Sequence, residues 1–171
     1  MSPASDPGVR PLGIIINPSS GRDARRLFAR ADSSTLQSKR NQVERIIVGA
    51  AASGVKKVIL TPDAFRIARS ASEAIGVEIE VEILDFVPQN KPADTATAVE
   101  AMRKANCGAL AVLGGDGTSR VVAQTWLDAP ILPLSTGTNN VFPIMLESTV
   151  AGAAVGAVAA GIVPLEKAAR R

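Results

Sequence analysis

Two runs in the chain are apolar at every position: "LGIII", residues 12–16, and "ALAVL", residues 109–113. A strand with one wet face alternates apolar and polar residues. A run with no polar position belongs to a strand covered on both faces, as in the middle of a parallel sheet. Parallel neighbours need long crossover connections, usually helices. The rest of the chain supplies them. Val43, Ile46, Ile47 and Ala50 recur at helical spacing, and Gly54 suits the C-terminal cap. "VKKVIL" (55–60) reads as a second strand. Thr61-Pro62-Asp63 reads as a helix start with Pro62 at the first helical position, and Gly76 ends that helix. "VEIEVEIL" (77–84) alternates apolar and acidic residues, which predicts a strand at or near a sheet edge. Further helices are expected at about 94 to 105, over "SRVVAQTWL", and from Glu147 to about Gly161, with a strand at "ILPL" (131–134). Alternating strands and helices predict an α/β fold, a mostly parallel sheet flanked by helices.

With 171 residues the chain is long enough for one domain with a sizeable core. Hydrophobic residues make up 46% but aromatics only 3%, so aliphatic side chains must build the interior. Among the few exceptions, Trp126 is expected to pack on the sheet. One cysteine and no histidine exclude disulfides, Cys/His zinc sites and histidine-based triads, leaving acid–base work to carboxylates or lysines. Cys107, at a helix–strand junction, reads as a small buried residue. A net charge of +3 and a pI near 9.4 suit an anionic small ligand. No aromatic residues interleave with basic clusters, so no nucleic-acid partner is expected.

The opening "MSPASDPGVRP" lacks the apolar stretch of a signal peptide, so residues 1–11 are expected to be a disordered tail and the protein cytoplasmic. "VAGAAVGAVAAGIVPL" (150–165) is uncharged but shorter than the roughly 20 apolar residues of a membrane span. It reads as a buried helix whose Gly152-x-x-x-Gly156 allows close packing, not as a membrane span. Residues 22–40 are polar and Arg-rich, expected as a loop with a partial helix. Arg22, Arg25, Arg26 and Arg30 there are placed either to reach a triphosphate or to form a solvated basic face.

In a parallel sheet, loops after the strands emerge together at the carboxyl edge, where ligands bind. Three such loops are unusual here: "NPSSGR" (17–22), "GGDGTS" (114–119) and "STGTNN" (135–140). Each alone is an ordinary turn. Together they bring backbone N–H groups and small hydroxyls to one place, with a helix N-terminus after the middle loop, and predict a phosphorylated ligand. No Gly-x-x-x-x-Gly-Lys-Ser/Thr occurs, and Arg120 stands where Gly115-x-Gly117 would need its third glycine. Asp116 is the odd residue, because a bare carboxylate repels phosphate. It becomes useful by holding Mg²⁺ on the phosphate oxygens or by accepting a proton from an attacking hydroxyl. Both roles belong to phosphoryl transfer.

"GGDGT" after an apolar strand resembles the signature shared by NAD kinases, diacylglycerol kinases and, more distantly, phosphofructokinases. "IINPSSG" (15–21) is similar to the opening motif of the lipid-kinase branch. "STGTNNVFP" (135–143), followed by the helix from Glu147, resembles the ATP-NAD kinase-like family, the branch that includes acetoin-catabolism accessory proteins. The resemblance spans residues 12 to about 161 and implies a Rossmann-like sheet, ATP and Mg²⁺ as cofactors, and kinase activity. It implies Asp116 as catalytic carboxylate and metal ligand, with Gly114, Gly115, Gly117 and Thr118 around phosphate. Asn17, Ser20 and Gly21 would add a phosphate contact, and Thr138, Asn139 and Asn140 would lie near the nucleotide. Glu147 is expected to favour its helix dipole or to reach the ligand crevice. The favoured acceptor is NAD, giving NADP, although NAD kinases carry a "GFL" segment where this chain reads "TNNVFP". A diacylglycerol-type lipid kinase and a nucleotide-binding module without turnover stand as alternatives. The expected partners are a nucleotide and a small-molecule acceptor, with homo-oligomerisation left open. The resemblance also implies a second, β-rich domain that completes the acceptor site. On that reading residues 12–165 are a nucleotide-binding domain standing alone.

Overall fold

The two uninterrupted apolar runs are neighbouring strands in the interior of the sheet. A computed structural model describes residues 8–20, 32–136 and 140–168. Its elements are β1 (Leu12–Ile16), α1 (Asp32–Ala52), β2 (Lys57–Leu60), α2 (Ile67–Ala74), β3 (Glu80–Ile83), α3 (Pro92–Lys104), β4 (Ala109–Gly114), α4 (Asp116–Thr125), β5 (Ile131–Ser135), α5 (Ser148–Ala159) and α6 (Leu165–Ala168). The strands form one sheet in the order β3-β2-β1-β4-β5, with every pairing parallel. β1 and β4 are buried along their whole lengths and pair from Leu12↔Ala109 to Ile16↔Leu113. The alternating segment is the outer strand β3, as its wet face requires. On that face Lys57 of β2 bridges Glu80 and Glu82 at 2.9 and 2.7 Å.

Residue alternation along β1 splits the core in two. Leu12, Ile14 and Ile16 pack with α1, α2 and α5, while Ile15 joins Leu110, Val112, Val99 and Met102 under α3 and α4. Trp126 packs against this second layer, and Cys107 is buried within it. The apolar helix α5 lies directly on α1. A Cβ added at Gly152 would stand 2.7 Å from Ile46 Cα, and one at Gly156 would stand 2.8 Å from Ala50 Cα. The small-residue spacing thus does what close packing needs. Among the described residues, no helix is long and apolar enough to cross a membrane.

Several boundaries move. The helix expected to start at Pro62 starts at Ile67. Asp63 spends its carboxylate on the intervening turn, accepting N–H bonds from Phe65, Ile67 and Ala68, and Arg66 adopts a left-handed φ of 58°. β2 and β3 begin at residues 57 and 80, later than their apolar patterns begin, because the ladder with the neighbouring strand starts only there. Ahead of β1, Arg10 N–H donates to the Ala159 carbonyl (3.1 Å) and Gly108 N–H donates to that of Pro11 (2.8 Å), so the end of the expected tail is tied to the fold. The short α6 was not legible from the pattern of the sequence.

Candidate functional site

β1 and β4 are neighbours whose following helices, α1 and α4, cross to opposite faces of the sheet. Their loops therefore part at the carboxyl edge and leave a crevice at the point where the strand order reverses. A cleft of about 470 Å³ occupies it. The loop after β1 (Asn17 to Ser20) and the start of α4 (Gly115, Gly117, Thr118) form one side. Thr61 to Asp63 after β2, and the segment from Phe86 to Thr95 leading into α3, form the other.

The loop after β1 is held from several directions. Asn17 N–H donates to the Leu113 carbonyl at 2.9 Å, extending the β1–β4 ladder by one residue. The Asn17 side-chain amide donates to Thr118 Oγ1 at 2.8 Å, and its oxygen accepts Ser19 N–H at 2.9 Å. Ser20 Oγ donates to the Asn17 carbonyl and accepts from Thr136 Oγ1 at 2.6 Å, reaching the loop after β5. Beneath the turn, the buried ammonium of Lys39 meets three of its carbonyl oxygens.

The glycine segment is not a free loop. Asp116 opens α4 and Gly115 is the N-cap, its carbonyl accepting from Thr118 and Ser119 N–H. The glycines are there for close approach. A Cβ at Gly114 would stand 2.6 Å from Thr118 Oγ1, and one at Gly115 would stand 2.9 Å from Asn140 Oδ1. Asn140 in turn donates to Ser135 Oγ at 2.8 Å. Gly117 faces open space at the mouth of the cleft. The Asp116 carboxylate turns toward the chain after β5, accepting Phe142 N–H at 2.9 Å and Val141 N–H at 3.1 and 3.2 Å. It does not line the cleft itself.

The structure thus gathers Asn17, Ser20, Gly114, Gly115, Asp116, Gly117, Thr118 and Asn140 around one sheet edge. Gly21, Thr138 and Asn139 lie outside the described residues, as do Arg22, Arg25, Arg26 and Arg30. Glu147 does not reach the cleft. It caps α5, and N–H bonds from Thr149 and Val150, with Arg45 at 3.6 Å, hold its carboxyl below the usual range. Sequence reasoning missed Lys39, though a signal existed: it stands one helical turn before Val43 on the same stripe as Ile46, Ile47 and Ala50. Among the described residues no three acidic, histidine or cysteine side chains cluster as a metal cage. Asp63 and Asp94 line the cleft, but their carboxylates accept backbone N–H groups. A divalent ion carried by phosphate oxygens asks for one or two protein carboxylates, a number that Asp116 at this sheet edge can meet.

The profile of the ATP-NAD kinase N-terminal domain matches residues 12–162. "Acetoin catabolism protein X" of Cupriavidus necator is 40% identical over 161 residues, covering 90% of this chain and 45% of that protein. The chain thus spans less than half the length of this curated relative. No solved structure matches the chain. By fold, by motif and by the extent of the match, the chain belongs to the ATP-NAD kinase N-terminal domain family.

Proposed function

We propose that the chain is the nucleotide-binding part of an ATP-dependent kinase that phosphorylates a hydroxyl, with NAD, giving NADP, as the favoured acceptor. One observation carries the reading: the Asn17–Thr118 hydrogen bond at 2.8 Å closes the crevice between β1 and β4 into a single polar cradle. The cradle meets the N-terminus of α4, whose dipole and free N–H groups favour phosphate. In the reaction the acceptor oxygen bonds to the γ-phosphorus as the bond to the β–γ bridging oxygen breaks. The hydroxyl proton leaves to Asp116 or to water. A Mg²⁺ ion bound with ATP would neutralise the phosphate oxygens, with Asp116 as its protein ligand.

A second acceptor class has an observation of its own. Val141 and Phe142, whose N–H groups hold Asp116, expose 96% and 55% of their surface. An apolar surface beside the carboxylate favours a hydroxyl on an apolar molecule such as diacylglycerol. The name of the Cupriavidus relative adds a small hydroxylated metabolite of acetoin breakdown as a third acceptor to assay. Titration calorimetry of this chain with ATP and ADP, with and without Mg²⁺, tests the nucleotide reading. Saturable binding, tighter for ATP when Mg²⁺ is present, is expected. Absence of binding at millimolar nucleotide would overturn it.

A further inference from the structure

Lys39 projects from α1 with 2% of its surface exposed. Its Nζ donates to the carbonyl oxygens of Asn17 (3.0 Å), Pro18 (2.7 Å) and Ser20 (2.6 Å). A buried ammonium must replace its lost hydration by hydrogen bonds, and one turn of backbone supplies three of them. Carbonyls that would otherwise diverge around the turn are drawn to a single point on its inner side. The same turn, Asn17 to Ser20, lines the cleft. Asn17 is then placed to reach Thr118 on α4. A compact ammonium with three rotatable donors can converge on such acceptors, whereas the planar fork of an arginine cannot. The position lies on the apolar stripe of α1, where a leucine would serve packing alone.

We propose that Lys39 is a positioning residue of the nucleotide site, holding the turn over residues 17–20 in the shape that receives the phosphate chain of a nucleoside triphosphate. The proposal rests on the nucleotide reading of the cleft. It adds a requirement that this reading does not contain: that the grip on phosphate depends on a side chain which never touches the ligand.

The test compares ATP and AMP binding by the wild-type chain, Lys39→Met and Lys39→Arg, with circular dichroism and thermal melts to establish folding. In both folded variants ATP affinity should fall about tenfold or more, and by a larger factor than AMP affinity. Loss of packing alone would lower the melting temperature without separating the two ligands. A folded Lys39→Met that binds ATP as tightly as the wild type overturns the proposal. A second arm needs no variant. Reductive methylation of the wild-type chain, read by mass spectrometry, should label Lys39 last among the lysines, and saturating Mg²⁺–ATP should slow it further, because coupling between turn and ligand is reciprocal. A labelling rate unchanged by ATP overturns the proposal even if the variants do not fold. Failure of the wild-type chain to bind nucleotide removes the nucleotide reading itself, and this inference with it.

Discussion

Asp116 is a carboxylate with both oxygens already engaged by the backbone of Val141 and Phe142. Replacing it by asparagine keeps the shape and one accepting oxygen, but puts an NH₂ where the other oxygen stood. It also removes the charge that a metal or a proton requires. In a protein of the relative's length that carries this domain, Asp116→Asn should cut phosphoryl transfer by about 100-fold or more while leaving nucleotide affinity within about tenfold. Near-normal turnover in a steady-state ADP-release assay would sink the assignment. Cys107 gives a pH-dependent counterpart. Burial, and to a lesser degree the nearby Glu82, push its thiol from an ordinary 9.0 to about 12. The folded state therefore holds a proton that the unfolded chain releases above about 9. The sign follows: this contribution is intact below pH 9 and is lost as pH climbs toward 12. Urea midpoints of the wild type should drop more steeply over that interval than those of Cys107→Ala, and parallel curves would refute it. At this scale the sequence drew attention where the residue pattern is unusual, as at an aspartate among glycines. It was opaque where the function of a side chain lies in what it holds, as with Lys39.

Elements were more legible than their ends. The strands showed because uninterrupted apolar runs have few other places to go, and β3 showed because Glu80 and Glu82 cannot face a core. The start of α2 was misplaced because Pro62 and Asp63 carry the same signals in a capped turn as in a helix. The reading of "GGDGT" as a loop failed for a related reason. Glycines mark close approach as well as turns, and here the approach is to Thr118 and Asn140 from the first turn of a helix. Close packing of the helix in residues 150–165 was legible in its glycine spacing, though its partner was not, and the α1–α5 contact makes a prediction at its own scale. In Gly152→Ala the new methyl would overlap the backbone of Ile46, so the helices must separate. Overpacking of this kind costs about 1–3 kcal/mol and occasionally more. The gain of about 1 kcal/mol from the helix propensity of alanine offsets part of that cost. Chemical denaturation should show Gly152→Ala less stable than the wild type, while Gly76→Ala, where a Cβ meets open space, stays close to it. Equal stability of the two variants would mean that α1 and α5 do not pack this closely.

At the scale of the molecule the question is what 171 residues can do alone when the relative they match is more than twice as long. Binding and catalysis make different demands. On the nucleotide reading, phosphate recognition would use the loops after β1 and β4 and the N-terminus of α4, of which residues 17–20 and 114–119 and the tie between Asn17 and Thr118 lie within the described residues. Catalysis of phosphoryl transfer is mostly positioning. Holding both reactants in line supplies on the order of 7–11 kcal/mol of barrier reduction, and that requires walls on the acceptor as well as on ATP. Among the described residues the surface beside Asp116 is open, with Val141 and Phe142 at 96% and 55% exposure. An acceptor there would be held on one side. We therefore expect the chain to bind ATP or ADP weakly, with Mg²⁺ favouring ATP, and to release no ADP in response to NAD, diacylglycerol or acetoin. A longer parent protein of the length of the relative should release ADP with one of them. An ADP-coupled assay run on both proteins with each acceptor decides the matter. Acceptor-dependent release by the short chain would place the acceptor site within these residues. Silence from the longer protein with every acceptor, beside intact nucleotide binding, would leave the fold as a nucleotide-responsive module and overturn the kinase reading.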